Sequence, residues 1–287
     1  MKIRDILATG PSYSFEFSPP KSPEATERFW VMLDQLRLLH PSFVSMTYGA
    51  GGSTRETTHD MVVRMNGELD LTAMAHLTCA AHTRQALVDL VHSYVVNGVE
   101  NILALGGDPP RDYDGPPGEL DYASDLVALV RDIGDFSVGV AAHPEPHPRS
   151  PSLASDRNHT AAKLELADFA ITQFFFDARH YFDLVETLAK LGCHKPVLPG
   201  IMPATSIASI KRMAEMQGSE FPEWLATKLY AAEPSGKEAV RAVGIEEATK
   251  LCEELRDGGV PGFHFYTLNT STATREIYAN LGLTPSA

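Results

Sequence analysis

Eight short apolar runs rich in β-forming residues recur along the whole chain. They read SYSFEF (12–17), SFVSMTY (42–48), LTAMAHLTC (71–79), ENILALG (100–106), FSVGVAA (136–142), FAITQFFF (169–176), KPVLPGIM (195–202) and GFHFYTL (262–268). Most are followed by a polar loop and a segment with helical spacing, such as 23–39 or 179–191. Strands that alternate with helices predict a parallel sheet with right-handed crossovers. Eight such strands predict an α/β fold of the (βα)8 TIM barrel type, and an open doubly wound sheet remains the alternative.

The 287-residue chain suits one barrel, which needs about 250 residues. No linker, repeat or change of composition divides it, so we expect residues 1–287 to form a single domain. A further amphipathic stretch, FPEWLATKLYAA (221–232), predicts an extra helix before the last strand. The segment 144–158 is rich in Pro and Ser, and we expect it to be a loop over one mouth of the barrel.

Acidic residues outnumber basic ones, and the formal net charge is -13. This charge argues against nucleic acid or an anionic membrane surface as a partner. Three scattered cysteines suit a reducing compartment, and no run reaches the roughly 18 apolar residues of a membrane span. We therefore expect a cytoplasmic protein that acts on small molecules, with an oligomer possible.

The active site of a (βα)8 barrel lies at the C-terminal ends of its strands. Glu16 stands between two phenylalanines near the end of the first predicted strand. Strand alternation places its carboxyl on the opposite face from both rings, toward the lumen or its mouth, where it could act as a general acid. A structural ion pair with a lysine or arginine of the barrel is the alternative.

Other polar residues at predicted strand ends have less specific signals. Asp108 follows two glycines that permit close approach to a ligand, although an Asx turn would explain it equally. Gln173 could hydrogen-bond a flat heterocycle or be a satisfied buried amide. A metal site could be built from His76, Cys79, Asp108, His143, Glu145 and His147. Prolines in HPEPH exclude the helical spacing of ligands, so we expect no metal site.

Eight motifs together resemble the methylenetetrahydrofolate reductase family. They are FEFSPP (15–20), VSMTYGA (44–50), AHLTC (75–79), ALGGDPP (104–110), AAHPEPHP (141–148), AITQFFFD (170–177), LPGIMP (198–203) and FHFYTLN (263–269), in family order and spacing. The resemblance implies a barrel that reduces 5,10-methylenetetrahydrofolate to 5-methyltetrahydrofolate with electrons from a nicotinamide nucleotide.

The resemblance also implies roles for individual residues. Glu16 matches the general acid that protonates N10 of the folate, and Asp108 matches the acidic residue that engages the pterin. The positions that match substrate-binding residues are Gln173, Thr47, His76 and Tyr266. The positions that match cofactor-binding residues are His143, His147, Asp156, Lys163 and Gly107.

The sequence departs from the family at several positions that bind FAD. Gly106 and Ala162 stand where the family has arginines, His143 where it has a tyrosine, and His159 where it has an asparagine. Each lost charge-assisted bond to a pyrophosphate costs roughly 1.5–3 kcal/mol. We therefore expect a flavin-independent enzyme with NADH or NADPH as co-substrate, NADH being favoured. The alternatives are the same reaction with FAD as relay, a metal-dependent barrel hydrolase, and a folate-binding protein without catalysis.

Overall fold

The computed structural model describes residues 1–49, 54–108, 115 and 118–284. Within these residues one sheet of nine parallel strands has the order β7-β6-β5-β4-β3-β2-β1-β9-β8. The strands are β1 (Ser12–Phe17), β2 (Phe43–Met46), β3 (Ala73–Thr78), β4 (Asn101–Leu105), β5 (Ser137–Ala142), β6 (Phe169–Thr172), β7 (Val197–Leu198), β8 (Gly200–Ile201) and β9 (Gly262–Tyr266). Every predicted run contains strand structure.

The strands β7 and β8 together occupy the seventh position of the barrel. They are two residues each and flank Pro199, which has no N–H to donate. β7 pairs with β6, and β8 pairs with β9. The sheet therefore closes on itself with eight strand positions, which confirms the prediction of a (βα)8 barrel.

Helices surround this sheet, and the first of them lies at one end of the barrel. They are α1 (Ile3–Thr9), α2 (Pro23–Arg37), α3 (Arg55–Gly67), α4 (Arg84–Val96), α5 (Ala123–Ile133), α6 (Leu153–Leu166), α7 (Ala178–Lys190), α8 (Ile207–Gln217), α9 (Glu223–Ala232), α10 (Lys237–Asp257) and α11 (Thr272–Asn280). The extra helix expected before the last strand is α9, and the long helix α10 follows it. No described helix combines the length and the apolar character that crossing a membrane requires.

The prediction of a loop over residues 144–158 was wrong for residues 153–158, which are helical. The helix α6 begins at Leu153, directly after the last proline of the segment and one serine. The side chain of Ser152 accepts a hydrogen bond from the backbone N–H of Ser155 and so caps the helix. Ser152, which caps the helix, is one of the serines that suggested a loop.

The first helix closes the N-terminal mouth of the barrel. Ile3 is fully buried and packs with lumen residues such as Phe43, Phe169 and Leu198. Its backbone N–H donates to Asn101 Oδ1 at 2.8 Å, at the start of β4. The opposite mouth, at the C-terminal ends of the strands, is consequently the one where a ligand can enter.

Candidate active site

Glu16 lies one residue before the end of β1, and its side chain is 18% exposed. Its Oε2 lies 3.4 Å from Nε2 of His76 on β3 and 3.5 Å from Nε2 of His264 on β9. Phe15 and Phe17 face the other side of β1 and pack with the outer core. Strand alternation thus placed Glu16 correctly, and its basic neighbours within the described residues are histidines rather than the lysine or arginine of a structural ion pair.

His76 is buried and uncharged at neutral pH. Burial lowers its pKa to about 4, although the nearby Glu16 carboxylate opposes this effect. Its Nε2 has no hydrogen-bond partner among the described residues. This nitrogen therefore stands beside the Glu16 carboxyl and is free to donate or accept when a ligand or a proton arrives.

His264 belongs to the same site, and the sequence analysis missed it. The ring is fully buried, Nδ1 lies 2.7 Å from Ser14 Oγ, and one face stacks on Phe43. It was missed because only strand ends were searched for polar residues, whereas His264 is in the middle of β9. It precedes Tyr266 by two residues, so the period of a strand could have placed both on the lumen face.

Tyr266 ends β9 and Gln173 follows β6, the two strands that flank the seventh position of the barrel. Tyr266 Oη donates to the backbone carbonyl of Thr172 at 2.5 Å. Burial, reinforced by the negative charge of Glu16, raises the pKa of Tyr266 well above its usual value. Gln173 Nε2 donates to Gln217 Oε1 at 2.8 Å, and its Oε1 accepts from the N–H of Phe174. One N–H and one lone pair of the Gln173 amide remain available.

Thr47 is partly buried, like Glu16 and Gln173, whereas Asp108 is exposed. Thr47 Oγ1 donates to Ser18 Oγ at 3.2 Å. The side chain of Asp108 is 83% exposed, and Arg149 Nη2 lies 3.9 Å from it. Gly107 has a φ of +75°, and a Cβ there would lie 2.7 Å from Thr78 Cβ. Glycine is therefore required where the loop after β4 passes the end of β3.

The other predicted cofactor-binding residues gather between the end of β5 and helix α6. The rings of His143 and His147 are 4.5 Å apart. Burial lowers the pKa of His143 to about 3 and also lowers that of His147, so both rings are uncharged at neutral pH. Lys163 Nζ donates to the Ala141 carbonyl at 2.6 Å, and burial lowers its pKa to about 8. Asp156 is buried and accepts from Ser150 Oγ.

The positions where the family has arginines offer no positive charge here. Gly106 has open space where a Cβ would be, and Ala162 is exposed on α6. His159, which stands in the place of the family's asparagine, is also exposed. The nearby cations among the described residues are Lys163 and Arg157, which are bonded to backbone carbonyls, and Arg149, which lies close to Asp108.

Known proteins resemble the chain in both sequence and fold. The sequence model of the family described as methylenetetrahydrofolate reductase matches residues 2–282. A 5,10-methylenetetrahydrofolate reductase of Pectobacterium carotovorum subsp. carotovorum is 36% identical over 95% of this chain and 90% of its own length. Methylenetetrahydrofolate reductase (NADH) 1 of Arabidopsis thaliana is 34% identical over 98% of this chain and 50% of its own length.

Among solved structures, an uncharacterized protein from Clostridium thermocellum that binds two copies of 5-methyl-5,6,7,8-tetrahydrofolic acid has a TM-score of 0.71. It is 16% identical, and the likeness covers 98% of this chain and 97% of that one, which establishes a shared fold. The family model matches nearly the whole barrel, including the strands that bear Glu16, His76 and His264. The chain belongs to the methylenetetrahydrofolate reductase family.

Proposed function

We propose that this protein reduces 5,10-methylenetetrahydrofolate to 5-methyltetrahydrofolate by direct hydride transfer from NAD(P)H, without bound flavin. The observation on which the proposal rests is the partly buried carboxyl of Glu16 between His76 and His264 at the open mouth of the barrel. Membership of the reductase family supports the reaction. The lack of a positive charge at Gly106 and Ala162, where the family has arginines, supports the absence of flavin.

The first chemical step needs an acid at N10 of the folate. Protonation of N10 by Glu16 breaks the bond between N10 and the methylene carbon, and the remaining electron pair of N5 forms an iminium with that carbon. The Glu16 carboxylate left behind has two imidazole nitrogens within 3.5 Å, which can donate hydrogen bonds to it. A positioned acid of this kind accelerates a reaction typically 10²–10⁴-fold.

The second step delivers hydride from C4 of the reduced nicotinamide to the iminium carbon and gives the methyl product and NAD(P)⁺. Asp108 would favour the cationic iminium through its negative charge. Gln173 would hydrogen-bond the pterin through the N–H and lone pair that Gln217 and Phe174 leave free. Thr47, His76 and Tyr266 would line the same pocket and fix the orientation of the ring.

The residues around the end of β5 suit a nucleotide that binds weakly and dissociates after each turnover better than one that stays bound. This region has two uncharged imidazoles, Lys163 and Arg157 bonded to backbone carbonyls, and an exposed Arg149, which together give a pyrophosphate few charge-assisted bonds. Losing two such bonds weakens binding by roughly two to four orders of magnitude. A co-substrate works at micromolar to millimolar affinity, but a permanently bound FAD does not. These residues therefore fit NAD(P)H and do not fit tightly bound FAD.

We propose that His143, His147, Asp156, Lys163 and Gly107 form this nucleotide site, and we favour NADH over NADPH. Within the residues that the structure describes, no basic group is assigned to the 2′-phosphate of NADPH. The relative from Arabidopsis thaliana is named for NADH, which agrees with this preference.

The proposal is tested by an anaerobic assay of protein that has been stripped of flavin. The protein as purified should be colourless, and the stripped protein should oxidise NADH when methylenetetrahydrofolate is present, without added FAD. Stoichiometric bound flavin, together with loss of activity on stripping and its recovery with FAD, would instead establish the flavin relay. If neither NADH nor NADPH is oxidised, the reductase function itself is contradicted.

A further inference from the structure

A cleft of roughly 640 Å³ lies next to the loop that carries His143 and His147, and neither the site nor the proposed reaction uses it. The loop after β5, the first turn of α7 and the segment between α8 and α9 form its walls. Its lining includes Glu145, His180, Glu220, Arg157 and Trp224. Each wall thus contributes a side chain that can bind a metal ion.

Three of these side chains converge. Glu145, His180 and Glu220 each offer one ligand atom, and the three atoms all lie within 4.8 Å of one another. Glu145 Oε1 lies 3.8 Å from His180 Nε2 and accepts from the Glu220 backbone N–H at 2.9 Å. Of the six residues that the sequence analysis considered for a metal site, only Glu145 belongs to this cluster.

The second oxygen of Glu145 is not satisfied by any protein group among the described residues. The side chain is 11% exposed, and Oε2 is buried with no hydrogen-bond partner among the described residues. A buried carboxylate oxygen without a partner is costly, and buried charges are normally paired or bound to a metal. A cation at this point would remove that cost.

The charge of the cleft favours a cation as well. Five carboxylate and two guanidinium side chains line it. Both arginines are already engaged, because Arg157 donates to the carbonyls of His143 and Pro144 and Arg179 pairs with Asp177. Neither arginine is bonded to Glu145 or Glu220 in the described structure. The excess negative charge at the cluster is therefore left for a ligand to neutralise.

We propose that Glu145, His180 and Glu220 bind one divalent transition-metal ion, of which Zn²⁺ is the representative. One imidazole and two carboxylates are a ligand set for such ions, whereas Mg²⁺ and Ca²⁺ prefer oxygen alone. Ligand atoms around a tetrahedral Zn²⁺ lie ~3.4 Å apart, given bond lengths of about 2.1 Å. Small rotations of the half-exposed His180 and the exposed Glu220 would reach this geometry.

The ion would act as a clamp between three segments that are distant in sequence. Glu145 is two residues from both His143 and His147, so the ion would also fix the loop proposed to contact the nucleotide. Metal binding is a property of the folded chain and is measured without the reductase reaction, so its success or failure is distinguishable from that of the proposed function.

The test is titration of chelator-treated full-length protein with Zn²⁺ by calorimetry and with Co²⁺ by visible absorption. We expect one ion per chain, d–d bands for the Co²⁺ form, a Tm that rises by several degrees with Zn²⁺, and weaker binding of Mg²⁺. His180→Ala and Glu145→Gln should each weaken Zn²⁺ binding at least tenfold. His194→Ala, which removes an exposed histidine just after α7, should leave binding unchanged.

The Tm of each metal-free variant shows whether it is folded. If Glu145→Gln does not fold, the half-exposed His180 decides the result alone. The proposal is overturned if the wild type binds Zn²⁺ no more tightly than His180→Ala, or if His194→Ala weakens binding as much as His180→Ala does.

Discussion

At the scale of single residues, the position of the Glu16 carboxyl depends on three strands. β1 carries Glu16, β3 carries His76 and β9 carries His264, and the two nitrogen–oxygen distances differ by only 0.1 Å, at 3.4 and 3.5 Å. His264 reaches the carboxyl through the direct pairing of β9 with β1, and His76 reaches it across the intervening strand β2. The acid and the residues that orient it are therefore produced by the fold and are not contained in one motif.

Replacing Glu16 by Gln should lower kcat by roughly 10²–10⁴-fold, because the amide cannot supply a proton. The amide has nearly the same shape, so the free energy of unfolding should change by no more than about 1 kcal/mol. Steady-state kinetics and urea denaturation provide the two measurements. Glu27→Gln, at an exposed position on α2, is the matched control and should keep full activity. A kcat within tenfold of the wild type would remove Glu16 from the role of acid.

Replacing His264 by Asn should lower kcat by roughly tenfold or more and leave KM nearly unchanged. His264 touches Glu16 and is held by Ser14, so its loss would let the carboxyl rotate away from N10. Ser14→Ala should give a smaller fall in the same direction, because only the restraint on the ring is lost. The profile of kcat against pH should shift in the His264 variant. A change in stability with an unchanged kcat and profile would mean that His264 serves packing alone.

The residue scale also shows what the sequence could and could not predict. The alternation in FEF was enough to direct Glu16 to the lumen, because a strand has a period of two. The contact with His264 could not be derived, since it joins residues separated by 248 positions and depends on the register of β1 with β9. The local surroundings of Asp108 remained ambiguous for the same reason, and the side chain is exposed.

At the scale of elements, the divided seventh strand is the point where the barrel closes. Pro199 interrupts the ladder, yet its carbonyl accepts from the N–H of His264 at 3.0 Å. Gly200 N donates to Thr172 Oγ1 at 2.9 Å. A Cβ on Gly200 would lie 2.3 Å from the Thr172 carbonyl oxygen and 2.5 Å from Tyr266 Cε2. The motif LPGIMP thus contains a glycine because three strands meet without space for a side chain.

Replacing Gly200 by Ala should consequently destabilise the fold by about 1–3 kcal/mol, the usual cost of overpacking a core. Gly67→Ala is the matched control. It lies at the end of α3 with nothing within 4 Å of the added Cβ, and it should be neutral or stabilising by up to about 1 kcal/mol. Urea denaturation of both variants measures the difference. Equal stabilities would contradict the close approach at Gly200.

Most helices and strands could be predicted, and the exceptions have physical reasons. Apolar spacing located α2 and α7 because each buries one face against the sheet. The start of α6 was obscured because its capping serine lies in a segment whose prolines suggest a loop. α1 was missed since it is short and closes the end of the barrel, so that only Ile3 is fully buried.

At the scale of the whole molecule, several ionisable rings are buried in their neutral form. His76 has a pKa lowered to about 4 and His143 one lowered to about 3, in both cases mainly by burial. At a pH above about 6.5, the pKa of histidine in the unfolded chain, such a histidine is neutral in both states and its burial has no protonation cost. The stability is lost as the pH falls toward the folded pKa, because only the unfolded chain takes up the proton.

The free energy of unfolding should therefore decrease between pH 7 and pH 5, and His76 alone should account for about 2 kcal/mol of that decrease. Urea denaturation at the two values measures it. His76→Asn, which cannot take up a proton, should show a decrease that is smaller by this amount. An identical pH dependence in the variant and the wild type would show that His76 is not buried in its neutral form.

The central claim is that hydride passes directly from the nicotinamide to the folate. The most direct measurement is the mass of the 5-methyltetrahydrofolate formed from NADH that carries deuterium in both C4 positions, in ordinary water, with the protein as purified. Direct transfer predicts one deuterium in each product molecule. A reduced flavin holds the transferred hydrogen on N5, where it exchanges with water. Product without deuterium would contradict the account and indicate a flavin relay.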